Sequence, residues 1–155
     1  MFCTIDSSTR FFQYKILHKF LPTNRLLYIW KCIDTPLCSF CHEEDESYIH
    51  VFWECPNLTL FWDKIKTWYY RKTTRYLLLN GFNVIFGNLY LGIPPIENLV
   101  ILLAKIYIYR CRKFGALNFD SFLNFVHFFY KLEYYIAMKK GKLDKHLGKW
   151  GTLCS

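Results

Sequence analysis

A chain of 155 residues with 53% hydrophobic and 21% aromatic content has the length of one compact domain and the apolar material to fill it, which excludes disorder. The net charge of +8 understates the basic character: without the consecutive acids Glu43, Glu44, Asp45 and Glu46, 8 acidic residues face 20 basic ones, a balance of +12. That balance suits nucleic acid or an anionic membrane, and equally a basic protein with no anionic partner.

The opening MFCTIDSSTRFF lacks the basic region and apolar core of a secretory signal. The 7 cysteines therefore read as reduced thiols of an intracellular protein, nuclear or cytoplasmic, and not as a disulfide frame. The longest apolar run, Leu99 to Leu103, is interrupted at Lys105 and reaches only Tyr109. It falls short of the roughly 20 residues that span a bilayer, so a buried helix is expected and no membrane partner.

In chain order, Ser7, Ser8 and Thr9 offer caps for a helix from Arg10 to Leu21. Phe12, Ile16 and Phe20, with Leu17 and Leu21 beside them, give it an apolar face. Pro22 stops it, and Thr23 or Asn24 caps a short second helix through Trp30. Arg10, Lys15, Lys19 and Arg25 form either a solvated face or a set of phosphate contacts.

After Pro36 comes CSFCHEEDESYIHVFWEC, which reads C-x2-C-x8-H-x4-C with Cys38, Cys41, His50 and Cys55 as candidate ligands. Two thiolates two residues apart reach one ion from a tight turn, and the His-x4-Cys pair closes a tetrahedron from the other side. Thiolates with an imidazole favour Zn2+ over magnesium or calcium, and four protein ligands leave no open position, so the ion is structural. His42 directly follows Cys41, and adjacent side chains rarely converge on one ion. Cys32, six residues before Cys38, is a further alternative ligand at a less usual spacing. Cys3, Cys111 and Cys154 are then free thiols. The acidic run Glu43 to Glu46 is expected as a solvated loop of the finger. Ser47 caps a short helix carrying His50, Phe52 and Trp53, and Pro56 sets the fourth ligand at a helix end.

The segments RFFQYKILHKFLPTNRLLYIW and LCSFCHEEDESYIHVFWECPNLTLFWDKI resemble the zinc-binding domain at the C-terminal end of non-LTR (LINE-type) retrotransposon reverse transcriptases. LLAKIYIYRCRK and KKGKLDKHLGKW resemble the tail of those polyproteins, so the likeness runs from about Arg10 to Trp150. It implies that Cys38, Cys41, His50 and Cys55 bind metal and that the domain helps engage the element's RNA or its target DNA. A Met just before the resemblance begins suggests a truncated or domesticated element. Other domains of a retroelement polyprotein are then further partners.

Beyond the finger, Asn57 is placed to cap a helix whose stripe is Leu58, Phe61, Trp62, Ile65, Trp68 and Tyr69. Those rings are expected in the core. Lys64, Lys66, Arg71, Lys72 and Arg75 either bind phosphate or complement the helix dipole. Asn80-Gly81, Gly87-Asn88 and Gly92 are turn signals, and residues 77–93 read as a connector or small hairpin. Pro94-Pro95 opens a helix to about Phe114, with Leu99, Leu102, Leu103, Ile106 and Tyr109 buried and Arg110, Arg112 and Lys113 at its end. Asp120 or Ser121 caps a last helix with Phe122, Phe125, Phe129, Leu132 and Ile136 on one face and His127 as an ordinary histidine. A basic tail follows, with Lys139, Lys140, Lys142, Lys145 and Lys149.

The expected fold is mostly α, five to six helices with a small embedded CCHC zinc module. Its parts are a helical lead over residues 1–31, the zinc module with its following helix over 32–75, and a basic helical region over 76–155. With no paired aspartates outside the finger and no phosphate-binding glycine loop, the chain reads as a non-enzyme. The expected partner is nucleic acid, RNA or DNA, with weak sequence preference. The alternative is a zinc-stabilised module that docks protein.

Overall fold

The computed structural model describes residues 3–90, 92–151 and 153; Cys154 lies outside them. Its elements are α1 (Ser7–Leu17), α2 (Asn24–Ile29), α3 (Thr59–Thr73), α4 (Gly81–Phe86), α5 (Pro95–Cys111), α6 (Phe119–Lys139) and α7 (Leu143–Trp150). A π-helical turn (His50–Glu54) and two 3-10 turns (Pro56–Leu58 and Arg112–Phe114) complete them. Among the described residues no strand forms, only an isolated bridge between Leu37 and Asp45. The fold is mostly α with a small metal module, as expected, with more α-helices than the five to six predicted.

The added helices come from the two stretches where periodicity is weakest. Among the described residues of 77–93 there is α4 and no hairpin. Asn80 is an N-cap whose side chain accepts from the Asn83 N–H at 2.8 Å, so Asn80-Gly81 starts a helix instead of turning a strand. Gly81 is needed for close approach: a Cβ there would lie 2.8 Å from Ile49 Cδ1. The basic tail likewise folds back as α7. Gly141, at φ 63°, reverses the chain, and the Lys142 N–H donates to the Ala137 carbonyl.

Two helices start earlier than their caps were placed. Asp6 caps α1, accepting from the Thr9 N–H at 2.7 Å, and α1 ends at Leu17, before a left-handed Lys19. Asn118 caps α6 in place of Asp120 or Ser121, because the Tyr107 hydroxyl holds the Asn118 carbonyl at 2.8 Å. Thr23 caps α2 as predicted. Asn57 caps nothing; its amide donates to the Phe40 carbonyl at 2.7 Å.

α5 is the axis of the core. Its sequence is apolar on every side, and every residue from Ile96 to Ile108 except Asn98 is buried, a helix enclosed by others and not a one-sided one. α1, α4, α6, α7 and the π-helical turn all pack on it. The α3 stripe falls where predicted: Phe61, Trp62, Ile65 and Tyr69 are buried and Trp68 partly so. Phe61, Tyr107 and Phe122 meet at ring-centroid distances of 5.3 to 5.7 Å, joining α3, α5 and α6.

A buried carboxylate ties the chain ends together. Glu133, on α6 and fully enclosed, accepts from Thr4 Oγ1, the Ile5 N–H, Lys149 Nζ and Trp150 Nε1. Lys149, read from sequence as part of the basic tail, is therefore partly buried and engaged with Glu133.

Candidate metal centre and basic grooves

The turn Cys38–Cys41 is shaped by backbone bonds. The Cys38 N–H donates to the Glu44 carbonyl at 2.7 Å and the His42 N–H to the Cys38 carbonyl at 3.0 Å, with His42 in the left-handed region at φ 59°. The second pair is set by the π-helical turn. In an α-helix residues five apart point about 140° away from each other at 3.6 residues per turn. The Cys55 N–H instead donates to the His50 carbonyl at 3.0 Å, an i to i+5 bond, and the widened turn brings both side chains to one side. Ser47 caps the start through the His50 N–H at 3.1 Å, and Pro56 begins the 3-10 turn beyond.

Cys38, Cys41, His50 and Cys55 thereby converge, with their ligand atoms all within 4.8 Å of one another. Cys38 Sγ and Cys55 Sγ are 3.8 Å apart, and Cys41 Sγ and His50 Nε2 3.4 Å apart. Tetrahedral zinc with Zn–S of about 2.3 Å and Zn–N of about 2.0 Å places two sulfurs about 3.8 Å apart and sulfur and nitrogen about 3.5 Å apart. The spacing fits a tetrahedral ion and is too long for a disulfide. Cys32 and His42 are exposed and outside the cluster.

Burial pushes the Cys38 thiol up and the Cys55 thiol up to about 12. At Cys41 burial is outweighed by the Glu43 and Glu44 N–H groups and by His50, and the thiol falls to about 7. Three sulfurs at such range carry thiolate charge together only around a cation, which is the chemistry of this donor set.

The acidic run divides. Glu43, Glu44 and Asp45 are exposed, as expected of a solvated loop, but Glu46 is fully buried. Its carboxylate pairs with the Arg112 guanidinium and accepts from the Asn24 N–H at 2.8 Å and the Ser39 N–H at 2.9 Å. Arg112 also donates to the Pro22 carbonyl and Asn24 Oδ1, each at 3.0 Å. Glu46 thus clamps α2, the Cys38–Cys41 turn and the end of α5. Nothing local in the sequence marks it, because its charge partner lies on a distant element.

Of the basic residues singled out from sequence, Arg112 is engaged internally. Lys15 and Arg110 line one groove of about 400 Å³. Arg110, Arg112 and Lys113 line a second of about 620 Å³. The two share Tyr109 and Arg110. Each cation lies over a ring: Lys15 on Phe11, Arg110 on Phe125, Arg112 on Tyr109 and Lys113 on Phe114, at 4.6 to 5.0 Å. Lys64 lines a separate depression beside Gly115. Lys66 pairs with Asp63 on the α3 surface, and Arg71 and Lys72 lie exposed in its last turn. Arg10, Lys19 and Arg25 are exposed on or beside α1 and α2. Lys139, Lys140 and Lys142 are exposed at the far end of α6, about 30 Å from its start at 1.5 Å per residue.

Residues 2–62 match the zf-RVT family model, described as zinc-binding in reverse transcriptase. The matched stretch contains all four candidate ligands, and over it the chain is similar to the zinc-binding domains of reverse transcriptases. The match ends at Trp62, early in α3. No curated protein and no solved structure matches the chain. No helix among the described residues is long and apolar enough to cross a membrane.

Proposed function

We propose that the chain is a nucleic-acid-binding fragment of a LINE-type reverse transcriptase, with zinc as its structural ion and no polymerase activity of its own. The observation that carries this reading is the pair of adjoining grooves lined by both the cations Lys15, Arg110 and Lys113 and the rings Phe11, Tyr109 and Phe114. Cations that track a backbone and rings that stack on unpaired bases are the means by which single strands are held without sequence readout. The metal supports the binding surface indirectly: through Glu46 and Arg112 the Cys38–Cys41 turn is bonded to the end of α5, beside those grooves. Thiolate ligands need a reducing compartment, so the protein works in the nucleus or cytoplasm.

A salt titration against RNA, single-stranded DNA and duplex DNA tests this. Log affinity should fall linearly with log salt, by about 0.7 per phosphate contact for single strands and about 0.9 for duplex DNA. Arg110→Ala with Lys113→Ala should flatten the single-strand slope by about 1.4, or two contacts. The triple neutralisation of Lys139, Lys140 and Lys142 reports whether the far end of α6 takes part. Primer extension by the same preparation should give no product. Absence of affinity at low salt for every nucleic acid defeats the reading in favour of a protein-docking module. That second reading has its own support in Phe20, Tyr28, Ile29 and Trp30, each between 48% and 62% exposed.

A further inference from the structure

A cavity of about 230 Å³ lies against α5 and shares no lining residue with the metal cluster or the basic grooves. Two polar groups in its wall have unused hydrogen-bonding capacity. Lys105 is 1% exposed, and its ammonium donates to Gln13 Oε1 at 2.5 Å and the Ile85 carbonyl at 3.2 Å, which leaves a third N–H. Asn88 is 3% exposed, and its Nδ2 has no partner.

Asn88 is also held in place. Its N–H donates to Asn98 Oδ1 at 2.6 Å, its carbonyl accepts from Asn98 Nδ2 at 3.0 Å, and its own Oδ1 accepts from the Tyr90 N–H at 3.4 Å. The amide nitrogen is thus fixed as an unpaired donor. Buried donors without acceptors cost stability, and a buried ammonium without an anion costs more. Among the described lining residues there is no carboxylate, and Ile93, Ile101 and Leu102 supply apolar wall. A space of this size holds about eight non-hydrogen atoms at a water's share of about 30 Å³ each.

We propose that this cavity binds a small monocarboxylate with an aliphatic tail, its carboxylate accepting from Lys105 Nζ and Asn88 Nδ2. An anion there supplies the counter-charge that Lys105 lacks and the acceptor that Asn88 lacks, while the tail covers Ile101 and Leu102. Burial lowers the Lys105 amine to about 7, so the charged form that binds an anion is depleted above neutrality. Cys3 and Tyr90 are the other titratable residues in the wall, and the thiol of Cys3 is pushed up by burial and stays neutral there.

The experiment is calorimetric titration and thermal denaturation of the full zinc-loaded chain with hexanoate, set against hexanol and hexanamide. Hexanoate should bind saturably and raise Tm, the two neutral analogues should not, and affinity should drop up to about tenfold per pH unit above 7. Lys105→Met, which conserves volume, should fold, retain zinc and lose the hexanoate response. Asn88→Asp should do the same by placing a fixed carboxylate in the cavity wall. The proposal is overturned if hexanol matches hexanoate, if either variant keeps the response, or if the wild-type protein shows no saturable binding.

Discussion

Replacing Glu46 by Ala tests the clamp between the metal turn and the helices. The side chain is fully buried, its partner Arg112 is 11% exposed, and two backbone N–H groups, of Asn24 and Ser39, lose their acceptor with it. Removing one member of a buried ion pair costs about 3–5 kcal/mol, because the other charge is left without a partner. About 4 kcal/mol is a large part of the 5–15 kcal/mol typical of a domain, and at a urea m-value of about 2 kcal/mol per M it lowers the midpoint by about 2 M. Because Ser39 lies between Cys38 and Cys41, zinc affinity measured against a competing chelator should fall about 10- to 100-fold as well. Glu43→Ala and Glu44→Ala, at exposed positions of the same run, should each stay within about 0.5 kcal/mol of wild type. The double variant Glu46→Leu with Arg112→Met should cost less than the sum of its parts, since no buried charge is stranded. A Glu46→Ala variant no less stable than Glu43→Ala would refute the reasoning.

Two further outcomes follow from the buried titratable and ligating groups. Purified protein should hold one zinc per chain, and Cys38→Ser or Cys55→Ser should lose the ion together with much of the folding free energy, by metal analysis and circular dichroism; stoichiometric zinc in both variants would reject the ligand set. For Lys105, burial lowers the folded-state pKa to about 7 from an ordinary 10.5, so between these values the unfolded chain binds more protons and stability rises with pH. Relative to Lys105→Met, unfolding free energy should therefore climb from pH 7 to 8.5 by up to about 1.4 kcal/mol per unit, and a difference independent of pH would contradict the burial of a charged amine.

Local order in the amino acids determined the candidate metal ligands and the helix stripes. Cys38, Cys41, His50 and Cys55 lie within 18 consecutive residues, and their spacing alone restricts the geometry that can close around one ion. Phe61, Trp62, Ile65 and Tyr69 repeat with the helical period, so their common face is a property of the segment itself. Tertiary structure decided what these segments meet. Asp6 and Asn118 prevail over neighbouring caps because Thr9 is buried and Tyr107 grips the Asn118 carbonyl. The π-helical turn answers the need to aim His50 and Cys55 together, which α-helical periodicity does not provide. Glu46 reads as a solvated loop charge and Lys149 as part of a basic tail in the linear chain, yet Glu46 pairs with the distant Arg112 and Lys149 with Glu133, while Lys105 is enclosed by Gln13 and Ile85. A periodic pattern reports which face of a segment is apolar; whether a charge is solvated, paired or enclosed depends on distant elements packed against it, and only the folded chain brings those into contact.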